Sequence, residues 1–369
     1  MLDQNLIYQI GLTLVKGIGS ITARQIIETL GDASLLFKEK ALVLERIPGI
    51  SKRIIAEINN PEVLRRAEKE IAFIEKNKIQ PFYIEDDDYP QRLKECVDAP
   101  IVLYFRGTTN LNTEKIISII GTRNATSYGK EVTEKLIADI LESYPELLIV
   151  SGLAYGIDIH SHKASLKNNL PTVGVLAHGL DRIYPYAHRN IAVEMLKKGG
   201  LLTDFISETN PDRQNFLMRN RIVAGISDCT IIVESGEKGG ALITCSIADS
   251  YNKDIFAFPG KVTDPYSIGC NNLIRDKKAT LITSAEDVFR EMCWDQEKEN
   301  KKPPLQRNLF TDLNPEEQQL VDLLSQKGSM QLNVIGIELD MPVNRLMPLL
   351  FELEMKGIVH CMPGNLYQV

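Results

Sequence analysis

This 369-residue chain is short of several things that mark common protein classes. Its six cysteines, Cys96, Cys229, Cys245, Cys270, Cys293 and Cys361, are scattered and never form a C-x-x-C pair. That spacing argues against a zinc site or a disulfide framework and fits a reducing compartment, so a cytoplasmic location is expected. No apolar run approaches the length of a membrane span, and Lys16, Arg24 and Glu28 break up what a signal peptide would need. There is no excess of basic residues: the formal net charge is -7. A site for a polyanion would have to come from local clustering of cations. A G-x-G-x-x-G fingerprint after the first strand is also missing, which argues against a nicotinamide cofactor.

What is present falls into three regions. Residues 1–80 read as helical, with two similar segments, "LVKGIGSITARQII" (14–27) and "LERIPGISKRIIAEI" (44–58). Gly19 and Gly49 sit at matching points, and Ser20 and Ser51 suit the N-caps of the helices that follow. The pattern predicts a pair of helix-hairpin-helix units in a SAM-like helical domain. Residues 81–293 alternate short apolar runs with amphipathic stretches. Strands are expected at 101–105, 116–120, 147–152, 172–177, 229–235 and 254–260. Helices are expected at 127–142, 158–168, 189–198, 216–226 and 240–252. This alternation predicts an extended Rossmann-like, doubly wound and mostly parallel α/β sheet. Residues 294–307 read as a polar linker containing Pro303-Pro304. Residues 308–369 then predict a winged helix: helices near 315–326, 331–339 and 343–356, and a closing hairpin turning at Pro363-Gly364-Asn365. This last unit holds Lys327, Arg345 and Lys356 against eight acidic residues. That balance suits contact with protein better than contact with DNA.

In an open parallel sheet, ligands bind beyond the carboxyl ends of the strands. Four segments of this sequence converge there. "GTR" follows the apolar run 116–120: Gly121 allows close approach, Thr122 brings a hydroxyl, and Arg123 brings a planar fork for phosphate oxygens. The helix after it is expected to present its positive N-terminus to the same ligand. In "SGLAYGIDIHSHKAS" (151–165), the residues Asp158, His160, Ser161 and His162 invite a hydrolase reading. They lie within one turn of chain, whereas a triad needs members converging in space, so Asp158 reads as a cap. In "NFLMRNRIVAGISD" (215–228), Phe216, Arg219, Asn220 and Arg221 open a helix, with Arg213 just ahead of it. Cations beside an aromatic ring suit single-stranded nucleic acid, because every base has a π-face. Last, Gly239 and Gly240 form a second glycine turn into a helix. Two such turns and an arginine cluster suit a run of phosphates better than a compact dinucleotide.

Read together, "GTRNATSYG", "SGLAYGIDIHSHKA", "HGLDRIYPYAHRNIA", "RNRIVAGISD" and "GGALIT…FAFPG" resemble the bacterial DNA-processing protein A family, also called Smf. The resemblance runs from about residue 80 to 290. It implies a non-catalytic Rossmann core that binds single-stranded DNA, loads the RecA recombinase on that strand during natural transformation, and forms a homodimer. It implies DNA contacts by Gly121, Thr122, Arg123, Arg213, Phe216, Arg219, Asn220, Arg221, Gly239 and Gly240, with no metal, cofactor or membrane involved. Two departures stand out. Many members have Phe-Pro where this chain has Phe216-Leu217, and Ser-Gly-Ser where it has Gly239-Gly240-Ala241. The alternative is a nucleotide-binding, phosphoribohydrolase-like enzyme on a related fold. The P-G-G-x-G-T-x-x-E signature of that group is not met by "EKGGALITCSIAD".

Overall fold

The structure, a computed structural model, describes residues 5–294, 313–356, 358–362 and 366–368. They form two compact units that divide after Met292. The expected linker 294–307, apart from Trp294, and the expected turn at 363–365 lie outside the described residues.

The first unit opens with six helices: α1 (Leu6–Leu14), α2 (Ser20–Leu30), α3 (Ala33–Lys38), α4 (Ala41–Leu44), α5 (Lys52–Ile58) and α6 (Pro61–Asn77). The two expected hairpin turns precede α2 and α5. Their matching left-handed glycines are Gly17 (φ 94°) and Gly49 (φ 87°) rather than Gly19 and Gly49. A backbone at such φ accepts glycine readily and other residues at a cost. The two turns pack reciprocally, Gly17 against Ile54 at the start of α5 and Gly49 against Thr22 at the start of α2. Ser51 caps α5 by accepting from the Ile54 N–H at 3.4 Å. Ser20 does not cap α2, because Gly19 holds the N-cap position and the Ser20 hydroxyl is engaged elsewhere.

The chain then builds a sheet. Its elements are β1 (Gln80–Tyr83), α7 (Gln91–Lys94), β2 (Val102–Gly107), β3 (Ile116–Ile120), α8 (Ser127–Ser143), β4 (Leu148–Ser151), α9 (Ile157–Lys167), β5 (Thr172–Val175), α10 (Arg189–Met195), β6 (Gly200–Thr203), α11 (Arg213–Ile226), β7 (Cys229–Ile232), α12 (Gly240–Ser250), β8 (Asp254–Ala257), α13 (Ile268–Arg275), β9 (Thr280–Leu281) and α14 (Ala285–Glu291). Strand order is β1-β2-β6-β5-β4-β3-β7-β8-β9. The strands from β6 to β9 run parallel, while β1 and β2 pair antiparallel at one edge. The run 101–105 is therefore not part of the parallel alternation. Three strands were not expected from the sequence. β1 carries Pro81, which suits only an edge. β6 starts on Gly200, which packs against the Phe105 ring, and β9 has two residues.

From β3 the chain winds outward through β4 and β5 to β6. It then crosses back along α11 to β7, on the other side of β3, and continues to β8 and β9. Strands β3 and β7 are register neighbours, with Ile117 opposite Cys229 and Ile120 opposite Ile232. Their carboxyl ends mark the point where the winding reverses, and a crevice forms there. The residues of β3, β4, β5 and β7 are buried throughout, as a sheet covered on both faces requires.

The helical head and the sheet share one hydrophobic core, closed by a polar seam. The carboxylate of Glu70, 2% exposed, accepts from the Ser207 N–H at 2.9 Å and pairs with Arg66 at 2.9 Å. Arg66 also donates to the Ser207 carbonyl. Arg24 donates to the carbonyls of Lys94 and Cys96, each at 3.1 Å.

The second unit contains α15 (Pro315–Lys327), β10 (Met330–Gln331), α16 (Leu332–Glu338), α17 (Val343–Met355), β11 (His360–Met362) and β12 (Leu366–Gln368). Asn314 and Glu317 form a reciprocal capping box that starts α15. The strands form a small sheet in the order β10-β12-β11. The helices close over a core of Leu320, Leu324, Ile335, Leu346, Leu350 and Leu353. This is the expected winged helix.

Glu70→Ala leaves Arg66 and the Ser207 N–H without their buried partner. It is expected to lower the unfolding free energy by about 3 kcal/mol, read by urea denaturation. A change below about 0.5 kcal/mol would show that the seam does not hold the head.

Candidate nucleic-acid interface

A groove of about 1080 Å³ opens at the carboxyl ends of β3 and β7. Gly121, Thr122, Arg123, Arg213, Phe216, Arg219, Asn220, Gly239 and Gly240 all line it, and Arg221 does not. Lys238, Glu237, Ser235, Thr244 and Asp158 line it as well. The cations Arg123, Arg213, Arg219 and Lys238 outnumber the carboxylates Asp158 and Glu237.

Gly121 is small for a packing reason: a side chain there would overlap Ile157 at the start of α9. The Thr122 N–H donates to the Glu234 carbonyl at 2.7 Å, and its hydroxyl oxygen accepts from the Asn124 N–H at 3.2 Å. These bonds pin the loop and leave the Arg123 side chain exposed beyond it.

The positive end of α8 is not offered to a ligand as expected. Glu234, 1% exposed at the end of β7, accepts from the Thr126 N–H at 2.9 Å and the Thr126 hydroxyl at 2.5 Å. The Thr126 hydroxyl in turn accepts from the Gly129 N–H. A buried carboxylate thus already fills the helix N-terminus, where an anion is favoured. The open helix start is that of α12. Gly239 is its N-cap, no side chain caps it, and both Gly239 and Gly240 are exposed on the groove. Their backbone N–H groups are available to an anion, and the absence of the Ser-Gly-Ser hydroxyls does not remove them.

Helix geometry sorts the residues of α11. Arg213, Phe216 and Asn220 are spaced three and four apart and share a face. Arg219 and Arg221, two apart, point to opposite sides. Arg221 therefore turns away from the groove, pairing with Asp204 at 2.7 Å and donating to the Asp98 carbonyl and to the Ser20 hydroxyl at 3.0 Å. It ties the head to the sheet, a structural role in place of the expected DNA contact. Arg219 is 4% exposed and donates to the Val175 carbonyl at 2.7 Å. Burial pushes its pKa down to about 10, and the charge of Asp158 partly offsets that. Burial raises the pKa of Asp158, with Arg219 and backbone N–H groups acting the other way. Asp158 accepts from the N–H groups of Gly152 and Ala154, so it closes the loop before α9 rather than capping the helix.

Two guanidinium groups lie near the Phe216 ring, Arg123 5.5 Å and Arg219 5.9 Å from its centroid. The Tyr184 ring lies 5.9 Å from it, tilted by 57°. Arg123, Arg213 and Lys238 form no ion pair among the described residues. They provide cations without carboxylate partners beside an aromatic ring that is partly open to the groove.

The residues that invited a hydrolase reading do not assemble a nucleophile. The Ser161 hydroxyl donates to the Asp158 carbonyl, and His162 is fully buried against the Thr172 hydroxyl. Burial pushes the His162 pKa down to about 3. Among the described residues, no group of three or more His, Cys, Asp or Glu is placed to hold a metal.

Fold and site together define a doubly wound α/β protein with an aromatic-centred, cationic groove at its switch point. The family model for DNA recombination-mediator protein A matches residues 80–293, and one for the DprA winged helix domain matches residues 301–365. The chain belongs to the DNA recombination-mediator protein A family. It is 41% identical to the DNA processing protein DprA of Bacillus subtilis over 60% of this chain and 74% of that one. It is 38% identical to the DprA of Streptococcus pneumoniae over 59% of this chain and 76% of the relative. The crystal structure of the pneumococcal protein aligns over 79% of this chain and 99% of its own, at 31% identity and a TM-score of 0.64. A Helicobacter pylori DNA processing protein A, described for its mode of binding single-stranded DNA, covers 59% of this chain and 97% of its own at 28% identity and a TM-score of 0.53.

The two arginines that flank Phe216 are expected to separate by stability. Arg219→Ala removes a buried side chain and its bond to the Val175 carbonyl, and should lower the unfolding free energy by about 1–3 kcal/mol. Arg123→Ala, at an exposed position, should stay within about 0.5 kcal/mol of the parent. Equal destabilisation of the two variants in urea would contradict this division of roles.

Proposed function

We propose that the chain is a DNA-processing protein that binds single-stranded DNA in the switch-point groove without chemical turnover. The observation that carries this reading is the juxtaposition of unpaired Arg123, Arg213 and Lys238 with the Phe216 ring and the open start of α12. The arginines and lysine take successive phosphates, and the α12 N–H groups take another. Phe216, with Arg123 and Arg219 near its ring, stacks on a base through the part of the ring open to the groove. None of these contacts reads a base edge, so binding is tolerant of sequence and sensitive to salt. Arg219 acts through position, fixing the ring that meets the base, and Arg221 acts through the fold.

Loading of the RecA recombinase on the bound strand, pairing of two copies and a cytoplasmic location complete the proposal. Family membership supports the first two. For the third, no helix among the described residues is long and apolar enough to cross a membrane. The phosphoribohydrolase-like alternative lacks its signature glutamate, since Ile247 stands three residues past Thr244.

Arg123→Ala is expected to weaken binding to all single-stranded oligonucleotides by a similar factor, about tenfold. The plot of log affinity against log salt should flatten by about 0.7 for each phosphate that is no longer neutralised. Fluorescence anisotropy of dT and mixed-sequence strands across a salt series reads both. Unchanged affinity in a folded Arg123→Ala protein would reject the groove as the site. Release of free base from a nucleoside monophosphate by the parent chain would favour the enzyme reading.

A further inference from the structure

The winged-helix unit carries an apolar stripe on its outside. On α17, Val343, Met347, Phe351 and Met355 recur every fourth residue and are 45%, 48%, 64% and 75% exposed. Residues spaced in this way stand in one row along a helix. This row is separate from the side of α17 that builds the core, which is supplied by Leu346, Leu350 and Leu353. Pro348 is also exposed and has no N–H, so the Asn344 carbonyl lacks its helical donor. A surface helix ordinarily turns polar side chains to water. A contiguous row of large apolar groups on one marks a contact site.

The charge around the row says what fits it. Each lysine and arginine of the described winged-helix residues is engaged by a carboxylate: Lys327 by Glu338 at 2.7 Å, Lys356 by Glu317 at 2.5 Å, and Arg345 by Glu316. Glu354 stands at the C-terminal end of the row and Glu352 on its flank; both are exposed, and neither has an ion pair among the described residues. Among the described residues, DNA would meet carboxylates here and no free cation. A second copy of the same face would bring Glu352 and Glu354 against their own duplicates.

We propose that α17 is a docking face for a basic amphipathic helix of another protein, whose apolar residues lie along the Val343–Met355 row and whose lysines or arginines reach Glu352 and Glu354. The open Asn344 carbonyl offers a further acceptor to such a partner. Recognition of this kind lays one apolar helix face against another and takes its specificity from the charged margins. The proposal stands independently of the DNA-binding reading, because it uses the other unit of the chain.

The test uses the full chain and two synthetic 18-residue peptides of identical composition. One places leucines at helical spacing among lysines and arginines, and the other scrambles that order. By fluorescence anisotropy the ordered peptide should bind at least tenfold more tightly than the scrambled one. Met347→Ser with Phe351→Ser should erase that difference while the thermal melt of the protein stays unchanged. Glu352→Gln with Glu354→Gln should weaken the ordered peptide several-fold and flatten its salt dependence. Equal binding of the two peptides, or ordered-peptide binding that survives the serine pair, would overturn the proposal. So would self-association in sedimentation, or a shift of an oligonucleotide, that the serine pair abolishes, since either would assign the row to a different occupant.

Discussion

The carboxylate of Glu234 sets the terms of the groove. It lies buried at the end of β7 and bonds to the N–H and hydroxyl of Thr126 at the start of α8. That contact ties together the segments that follow the two strands at the switch point, because β3 leads into α8 and Glu234 follows β7. It also places a negative charge where a dinucleotide fold would receive a pyrophosphate. The groove's unpaired cations, Arg123, Arg213 and Lys238, and the uncapped turn into α12 lie apart from that position. The compact anion site of a dinucleotide fold is thus occupied from within, which fits the proposal that the groove takes an extended polyanion.

A second consequence follows along α11. One helix carries Arg213, Phe216 and Asn220 into the groove, buries Arg219 beneath the ring, and sends Arg221 to the head through Asp204, Asp98 and Ser20. The spacing of a helix makes this division unavoidable, since residues two apart cannot share a side. The head is thus anchored to the element that carries the Phe216 ring. The winged-helix unit has its own core and spends its described lysines and arginines on internal ion pairs, which leaves it an acidic, apolar outer face.

Much of this was legible in the sequence. The run 116–120 coincides with β3, and Thr126 ahead of Ser127 gives α8 an ordinary cap signal. Nine of the ten residues named for the site line one groove, because strand ends in a parallel sheet must converge on one edge. What stayed hidden depends on distance along the chain. Glu234 looks like any polar residue after a strand until Thr126, 108 residues earlier, is placed beside it. Arg221 looks equivalent to Arg219 until the helix phase is known. In the head, Gly17 and not Gly19 is the counterpart of Gly49, a choice only the sign of φ decides. β1 and β9 were too short, or too interrupted by proline, to show a period.

The central claim is that a single strand runs through the switch-point groove and stacks on Phe216. Ultraviolet cross-linking of a 5-iodouracil-substituted oligonucleotide to the full chain, followed by peptide mapping, tests it most directly. The account predicts adducts at Phe216 and in the peptide spanning 235–246. Adducts confined to the helical head or to residues 313–368, with none on α11 or at the start of α12, would contradict it.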